Sequence, residues 1–75
     1  MAATFTGVPG YAELTDEQRS VLRNTYELHF EALEFDQRYL IGQVSHVEYD
    51  EDEQTVNIHF KNGDWWHYTK SRRWY

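Results

Sequence analysis

Between Gln43 and Lys70 the chain alternates apolar and polar residues in three runs, Gln43–Asp50, Thr55–Lys61 and Asp64–Lys70. Alternation with period two is the pattern of a strand with one buried face. The runs are separated by Asp50-Glu51-Asp52-Glu53-Gln54, a solvated acidic turn, and by Lys61-Asn62-Gly63, a tight hairpin signal. Together they predict a three-stranded antiparallel meander over 43–70.

The register of the second hairpin follows from its turn. A two-residue Asn62-Gly63 loop would set Phe60 beside Trp65 and Ile58 beside His67. A three-residue loop with Gly63 as a left-handed bulge residue would pair Ile58 with Trp66 and Val56 with Tyr68. The second option is preferred, because it gathers Val47, Tyr49, Val56, Ile58, Phe60, Trp66 and Tyr68 on one face, a consistent core. The other face then carries His46, Glu48, Asn57, His59, Trp65, His67 and Thr69.

The preceding third of the chain has a helical period. Thr15 is a suitable N-cap, Gln18 completes a capping box, and Asp16 and Glu17 sit where the helix dipole favours negative charge. Polar residues at Arg19, Arg23, Glu27, Glu31, Glu34 and Arg38 trace one stripe, with Arg23–Glu27 and Glu34–Arg38 as opposite-charge pairs four residues apart. The remaining arc holds Val21, Leu22, Tyr26, Leu28, Phe30, Ala32, Leu33, Phe35, Tyr39 and Leu40, and His29 lies at its edge. Gly42 offers a stop. A helix is predicted over 15–41. From Asp16 to Leu40 it would be about 37 Å long, against strands of about 20 Å. It must therefore overhang the sheet, break, or be covered by another chain. Residues 1–14, with Gly7, Pro9 and Gly10, form an irregular arm whose Phe5, Val8, Tyr11 and Leu14 fold back onto the body. The fold class is α+β in one domain, residues 1–75, closed by a basic aromatic tail at 71–75.

Composition matters here because 75 residues bury a core of marginal size. There is no cysteine to staple it, so neither disulfides nor thiolate metal sites are available. Three tryptophans, six tyrosines and four phenylalanines supply bulk instead. The net charge of -6 argues against a general duplex-DNA binder and suits a basic partner. The first residues show no basic or apolar leader pattern, and no run approaches the ~18 apolar residues of a membrane span. The expected setting is the cytoplasm of a cell or of an infected host, with no membrane partner.

One resemblance rests on particular residues. Ser45-His46-Val47-Glu48-Tyr49-Asp50, Thr55-Val56-Asn57-Ile58-His59-Phe60, Gly63 and Trp66-His67-Tyr68 resemble the strand core of KTSC domains, small modules named for a segment at the C-terminus of some lysyl-tRNA synthetases. That pattern has a Tyr-Asp strand end, apolar alternation ending in Phe, a glycine turn and an aromatic-x-Tyr strand. The resemblance spans residues 45–68 and implies the meander. It implies no active site. The chain lacks the family's Val-Pro and following helix after Tyr68, and its own helix comes first.

The residues that could carry chemistry are few. With Asp50 opposite Thr55, His46 falls across from His59, and His67 lies on the next strand. These three, with Glu48, are the candidate ligands for zinc or copper. Histidine is also an ordinary occupant of a polar sheet face, so no metal and no cofactor are assigned. Asp50–Glu53 lacks the glycine and the bidentate glutamate of a calcium loop. No nucleophile elbow or phosphate loop is present, and no enzymatic activity is expected. What remains is binding. An acidic set, Glu27, Glu31, Glu34, Asp50, Glu51, Asp52 and Glu53, suits a basic surface on a target, including one that binds nucleic acid. An aromatic and basic set, Trp65, Arg72, Arg73, Trp74 and Tyr75, has hot-spot composition. The expected function is a small non-catalytic protein-binding module, a phage-type inhibitor or regulator. The alternatives are a single-stranded nucleic-acid binder using the C-terminal region and a homodimer formed through the helix.

Overall fold

The computed structural model describes residues 4–75. One helix, α1 (Asp16–Ala32), packs on an antiparallel sheet of β1 (Val44–Asp50), β2 (Thr55–Phe60) and β3 (Trp65–Thr69) in the order β1-β2-β3. This is the α+β fold the sequence predicts. Residues 1–3 of the expected arm lie outside the described residues.

The hairpin register is that of the three-residue loop. Ile58 pairs with Trp66 and Val56 with Tyr68, and Gly63 takes φ 95°, a left-handed value that glycine adopts without steric cost. On the inner face Val47, Val56, Ile58, Phe60 and Tyr68 are buried, while Tyr49 and Trp66 are half-buried at its margins. One device was not legible in the alternation. The β1–β2 register shifts between Val44 and His46, so Ser45 is a bulge residue. Without it Val44 would share the outer face with His46; with it Val44 turns inward and is buried.

The helix begins as its capping box requires: Thr15 Oγ1 accepts from the Gln18 amide at 3.1 Å, and Gln18 Oε1 from the Thr15 amide at 2.9 Å. It ends earlier than predicted. Instead of running to residue 41, it stops at Ala32, and Leu33 is extended (φ -86°, ψ 151°). No glycine or proline marks this point. Tertiary contacts take over from local propensity. Tyr39 stacks on Phe60 with centroids 4.1 Å apart, its hydroxyl donates to Asp64 Oδ2 at 2.7 Å, and the Tyr26 hydroxyl donates to its carbonyl. A continued helix would carry Tyr39 past the sheet, whereas 17 residues, about 25 Å, match the strands. Gly42 therefore lies in a short 3-10 turn, Ile41–Gln43, and terminates nothing. The expected Arg23–Glu27 and Glu34–Arg38 pairs do not form. Arg23 donates to the Tyr11 hydroxyl at 2.7 Å. Arg38 lies over the Phe30 and Phe35 rings, and its Nε donates to the Leu33 carbonyl at 3.3 Å.

Both sheet edges are covered. On the β1 side the arm folds back as predicted, burying Phe5 and Leu14, and the Val47 amide donates to the Pro9 carbonyl at 2.9 Å. Gly10, at φ 91°, is required there: a Cβ would stand 1.9 Å from the Val47 carbonyl oxygen. On the β3 side the chain reverses at Arg72 (φ 63°). Residues 73–75 then pair with the strand: Thr69 N to Arg73 O at 2.9 Å, His67 N to Tyr75 O at 2.9 Å and Tyr75 N to His67 O at 3.1 Å. The tail thus pairs the β3 edge, and the arm's single backbone bond and Gly10 contact shield the middle of β1, which limits association with another strand.

His29 is the core's polar centre. The sequence places it at the edge of the apolar arc, but it is 1% exposed. Its Nδ1 shares a 2.8 Å hydrogen bond with the Tyr68 hydroxyl. Trp66, Trp74, Tyr68 and Tyr39 surround it with ring centroids 4.7, 5.0, 5.6 and 6.0 Å away. Desolvation lowers its pKa to about 4, so the ring is neutral at physiological pH.

Two predictions follow from this packing. Gly10→Ala combines left-handed strain with a backbone clash and should cost more than about 2 kcal/mol. Gly7→Ala, at φ 89° with nothing within 4 Å, should cost only the strain, about 1 kcal/mol; urea midpoints compare the two. The second concerns pH. The folded His29 binds its proton only near pH 4, whereas the unfolded ring binds it near 6.5. Its contribution to stability is therefore complete above about pH 6.5 and falls as the pH drops toward 4, by up to about 1.4 kcal/mol per unit. Urea denaturation at pH 7.5 and 5.5 should show a shallower acid loss for His29→Phe than for the natural chain, whatever their offset at pH 7.5.

Candidate functional site

The outer sheet face is ordered in cross-strand rows. His46 on β1 pairs with His59 on β2, which pairs with Trp65 on β3. The next row runs Glu48, Asn57, His67 and, through the tail pairing, Tyr75. The third runs Asp50, Thr55, Thr69 and Arg73. Asn57 and Thr55 at the centre are buried, with Thr55 Oγ1 donating to Asn57 Oδ1 at 2.8 Å.

The rings in these rows stack on one another. His46 and His59 are 4.2 Å apart with planes 10° from parallel; His59 and Trp65 are 5.2 Å apart at 5°. His67 and Tyr75 are 4.4 Å apart at 3°, and Trp65 touches His67 at 4.6 Å and 46°. Parallel rings this close cannot lie side by side on the sheet, because their edges would overlap. They stand upright, face against face, and present edges to solvent. A platform that binds single-stranded nucleic acid offers ring faces to bases. Here the histidine rings are stacked on their neighbours, while Trp65 and Tyr75 at the ends of the rows stay about half exposed.

The structure brings together two of the three candidate histidines. His59 Nε2 is 2.8 Å from Glu48 Oε2, and His46 Nδ1 is 3.1 Å from Ser45 Oγ. One ligand atom from each of His46, Glu48 and His59 lies within 4.8 Å of the other two. His67 is outside this cluster, stacked on Tyr75, with Nδ1 3.2 Å from the Tyr75 carbonyl.

The acidic set is divided. Glu27, Glu31 and Glu34 are exposed, the first two on α1 and Glu34 beyond its end. Glu51, Asp52 and Glu53 are exposed in the β1–β2 turn. Asp50 is half-buried and engaged in the turn itself, its Oδ1 accepting from the Asp52 and Glu53 amides at 3.0 and 3.2 Å. The turn does not border the Glu27–Glu34 segment. A groove lined by Thr15, Glu17, Gln18, Tyr49, Gln54 and Lys70 shows that the start of α1 lies on the turn's side of the sheet.

The aromatic and basic tail also divides. Trp74 sits opposite Tyr68 and stacks on His29 at 5.0 Å, so it closes the core. Tyr75, across the backbone, is 55% exposed, and Trp65 is 47% exposed. The Tyr75 hydroxyl lies 3.4 Å from Glu53 Oε2. Slight desolvation, the Glu53 carboxylate that the hydroxyl approaches and the Asp50 carboxylate raise its pKa. Arg72 and Arg73 are exposed. The sequence pointed to the tail by composition, and pairing sorts its residues by face. The tail pairing itself had no signal in the alternation, since Arg72 adopts a left-handed conformation with no glycine to announce it.

No protein-family model, curated protein or solved structure matches the chain. The likeness of residues 45–68 to KTSC domains thus rests on the strand pattern alone. No helix among the described residues is long and apolar enough to cross a membrane.

The two aromatic tail residues should differ in effect. Trp74→Ala removes a ring stacked on buried His29 and should cost about 2–4 kcal/mol. Tyr75→Ala, on the exposed face, should cost under about 1 kcal/mol. Thermal melts of both variants check the split.

Proposed function

We propose that this chain is a non-catalytic protein-binding module, an inhibitor or regulator, which seats its outer sheet face and acidic turn on a basic surface of a target protein. One juxtaposition supports the reading. The contact between Tyr75 and Glu53 joins the exposed aromatic row to the turn Glu51-Asp52-Glu53. Exposed Trp and Tyr rings are frequent binding anchors, and a neighbouring run of carboxylates steers a basic partner toward them. The side chains of Glu51 and Asp52 enter no ion pair among the described residues, so their charge is available to a partner. Glu27 and Glu31 on α1 and Glu34 just past its end are a separate surface and contribute through the net charge of -6. A basic surface that normally holds nucleic acid has the required complementarity, since clustered carboxylates can take the place of phosphates. Direct binding of a single strand is less well supported, because the carboxylates of Glu48 and Glu53 stand beside the rings and repel phosphate.

Self-association has its own observation. Phe35, Leu40 and Leu28 are 85%, 58% and 42% exposed, large apolar side chains that this chain does not cover and a second copy would.

The experiment is affinity capture from lysate at low and high salt. It would use the natural chain beside the triple variant Glu51→Lys, Asp52→Lys, Glu53→Lys and beside Trp65→Ala, with labelled single-stranded oligonucleotides in parallel. A stoichiometric protein retained by the natural chain and lost, by about tenfold or more, from both variants is the expected result. Equal retention by the triple variant would sink the acidic reading. Salt-sensitive oligonucleotide binding would replace it with the nucleic-acid reading. A dimer in sedimentation that Phe35→Glu dissolves would replace it with self-association.

A further inference from the structure

We propose that His46, Glu48 and His59 form a binding site for a divalent transition-metal ion, with zinc as its natural probe. The site lies on the outer face of β1 and β2 and is independent of the acidic turn.

Three observations carry this. The first is donor chemistry. Two imidazoles and a carboxylate are a donor set used for zinc, and they leave a fourth position open to water or to a partner's side chain. The second is convergence. One ligand atom from each residue lies within 4.8 Å of the others, and the His59 Nε2 to Glu48 Oε2 distance is already 2.8 Å. Donors bound tetrahedrally at about 2.0–2.2 Å stand roughly 3.4 Å apart. Closing the triangle requires the His46 and His59 rings, stacked with planes 10° apart, to rotate out of parallel so that their in-plane lone pairs converge on one ion, which then takes the place of the His59–Glu48 contact. The third is positioning. His46 and His59 face each other across the β1–β2 ladder, and the Ser45 bulge sets that register. Ser45 Oγ lies 3.1 Å from His46 Nδ1. If it accepts the Nδ1 proton, His46 Nε2 is left free as the ligating atom, the kind of outer support that metal-bound histidines have. Trp65, nearly parallel to His59 at 5.2 Å, backs the second ring from the β3 side.

The same rows explain why His67, which the sequence groups with the other two, is not a ligand. It lies one row further along the strands, stacked on Tyr75 and beside its carbonyl.

The test is calorimetric titration of the full chain with zinc chloride at pH 7.5, with magnesium as the hard-cation control. His46→Phe and His59→Phe are the decisive variants, because phenylalanine keeps the stacked ring and removes the nitrogens. Both side chains are only half-buried, and circular dichroism melts check that the variants fold. The natural chain should take up zinc saturably and ignore magnesium. Either phenylalanine variant should weaken zinc binding by more than about 100-fold, since even an outer-shell partner is worth about 10–100-fold. Glu48→Gln should weaken it by about tenfold or more, and His67→Ala should leave it within about twofold. No saturable uptake by the natural chain would overturn the proposal. So would uptake unchanged in His46→Phe and His59→Phe, which would place the ion on the exposed carboxylates instead.

Discussion

The hydrogen bond between His29 and Tyr68 joins the two halves of the molecule. α1 reaches the sheet through few large apolar residues, mainly Leu22 and Tyr26, and in its last turn it buries an imidazole, His29. The Tyr68 hydroxyl satisfies one nitrogen at 2.8 Å, and Nε2 finds no partner among the described residues. A second proton would therefore create a buried charge with an unpartnered donor, which is costly. Burial also holds the Tyr68 hydroxyl protonated, by pushing its pKa far above the ordinary tyrosine value. The pair is thus fixed in its neutral form, and the aromatic rings around it complete a core that a chain without disulfides needs.

That centre explains why both ends of the chain fold back. Trp74 reaches His29 only because residues 73–75 pair with β3. Phe5 reaches Tyr26, edge to face at 5.2 Å, only because Gly10 lets the arm press against the Val47 carbonyl. Arg19 fastens the arm to the helix, its guanidinium donating to the Ala12 and Tyr11 carbonyls at 2.7 and 3.1 Å. Core completion and edge protection are accomplished by the same segments.

How legible this was depends on the range of the interaction. The meander, its register at Gly63 and the capping box at Thr15 are set by neighbours in sequence, and alternation and turn chemistry reveal them. The helix end at Ala32 is set by Tyr39 meeting Phe60 and Asp64, contacts that span more than twenty residues and leave no local mark. The Ser45 bulge and the left-handed Arg72 are equally silent, because neither is a glycine. Full burial of His29 was hidden for the same reason: its cover comes from Trp66, Tyr68 and Trp74, all on the far side of the chain. At the candidate site, the facing of His46 and His59 was legible from Asp50 pairing with Thr55. The exclusion of His67 was not, since it needs the tail's Tyr75 as a partner.

The two faces of the sheet follow opposite rules, and both proposed sites lie on or beside the outer one. Inside, aromatic rings meet at mixed angles and fill volume, as close packing favours. Outside, His46, His59 and Trp65 stand nearly parallel in one row and His67 and Tyr75 in the next. The histidine rings are half-buried, each with one nitrogen against Ser45, Glu48 or the Tyr75 carbonyl. Such stacking gives stability, but stability alone does not require titratable rings; threonine or valine on a solvated sheet face would serve as well. What the histidines add is directional lone pairs held in register by the ladder beneath them. Glu48 lies diagonally beside them and Glu53 beside Tyr75, so the face combines ordered donors with negative charge. That combination suits a cation, the shared premise of the proposed metal ion at His46 and His59 and of the proposed basic partner at the turn. The basic residues of the tail, Arg72 and Arg73, stand beyond the β3 edge rather than within these rows, so they border the face without reversing its charge.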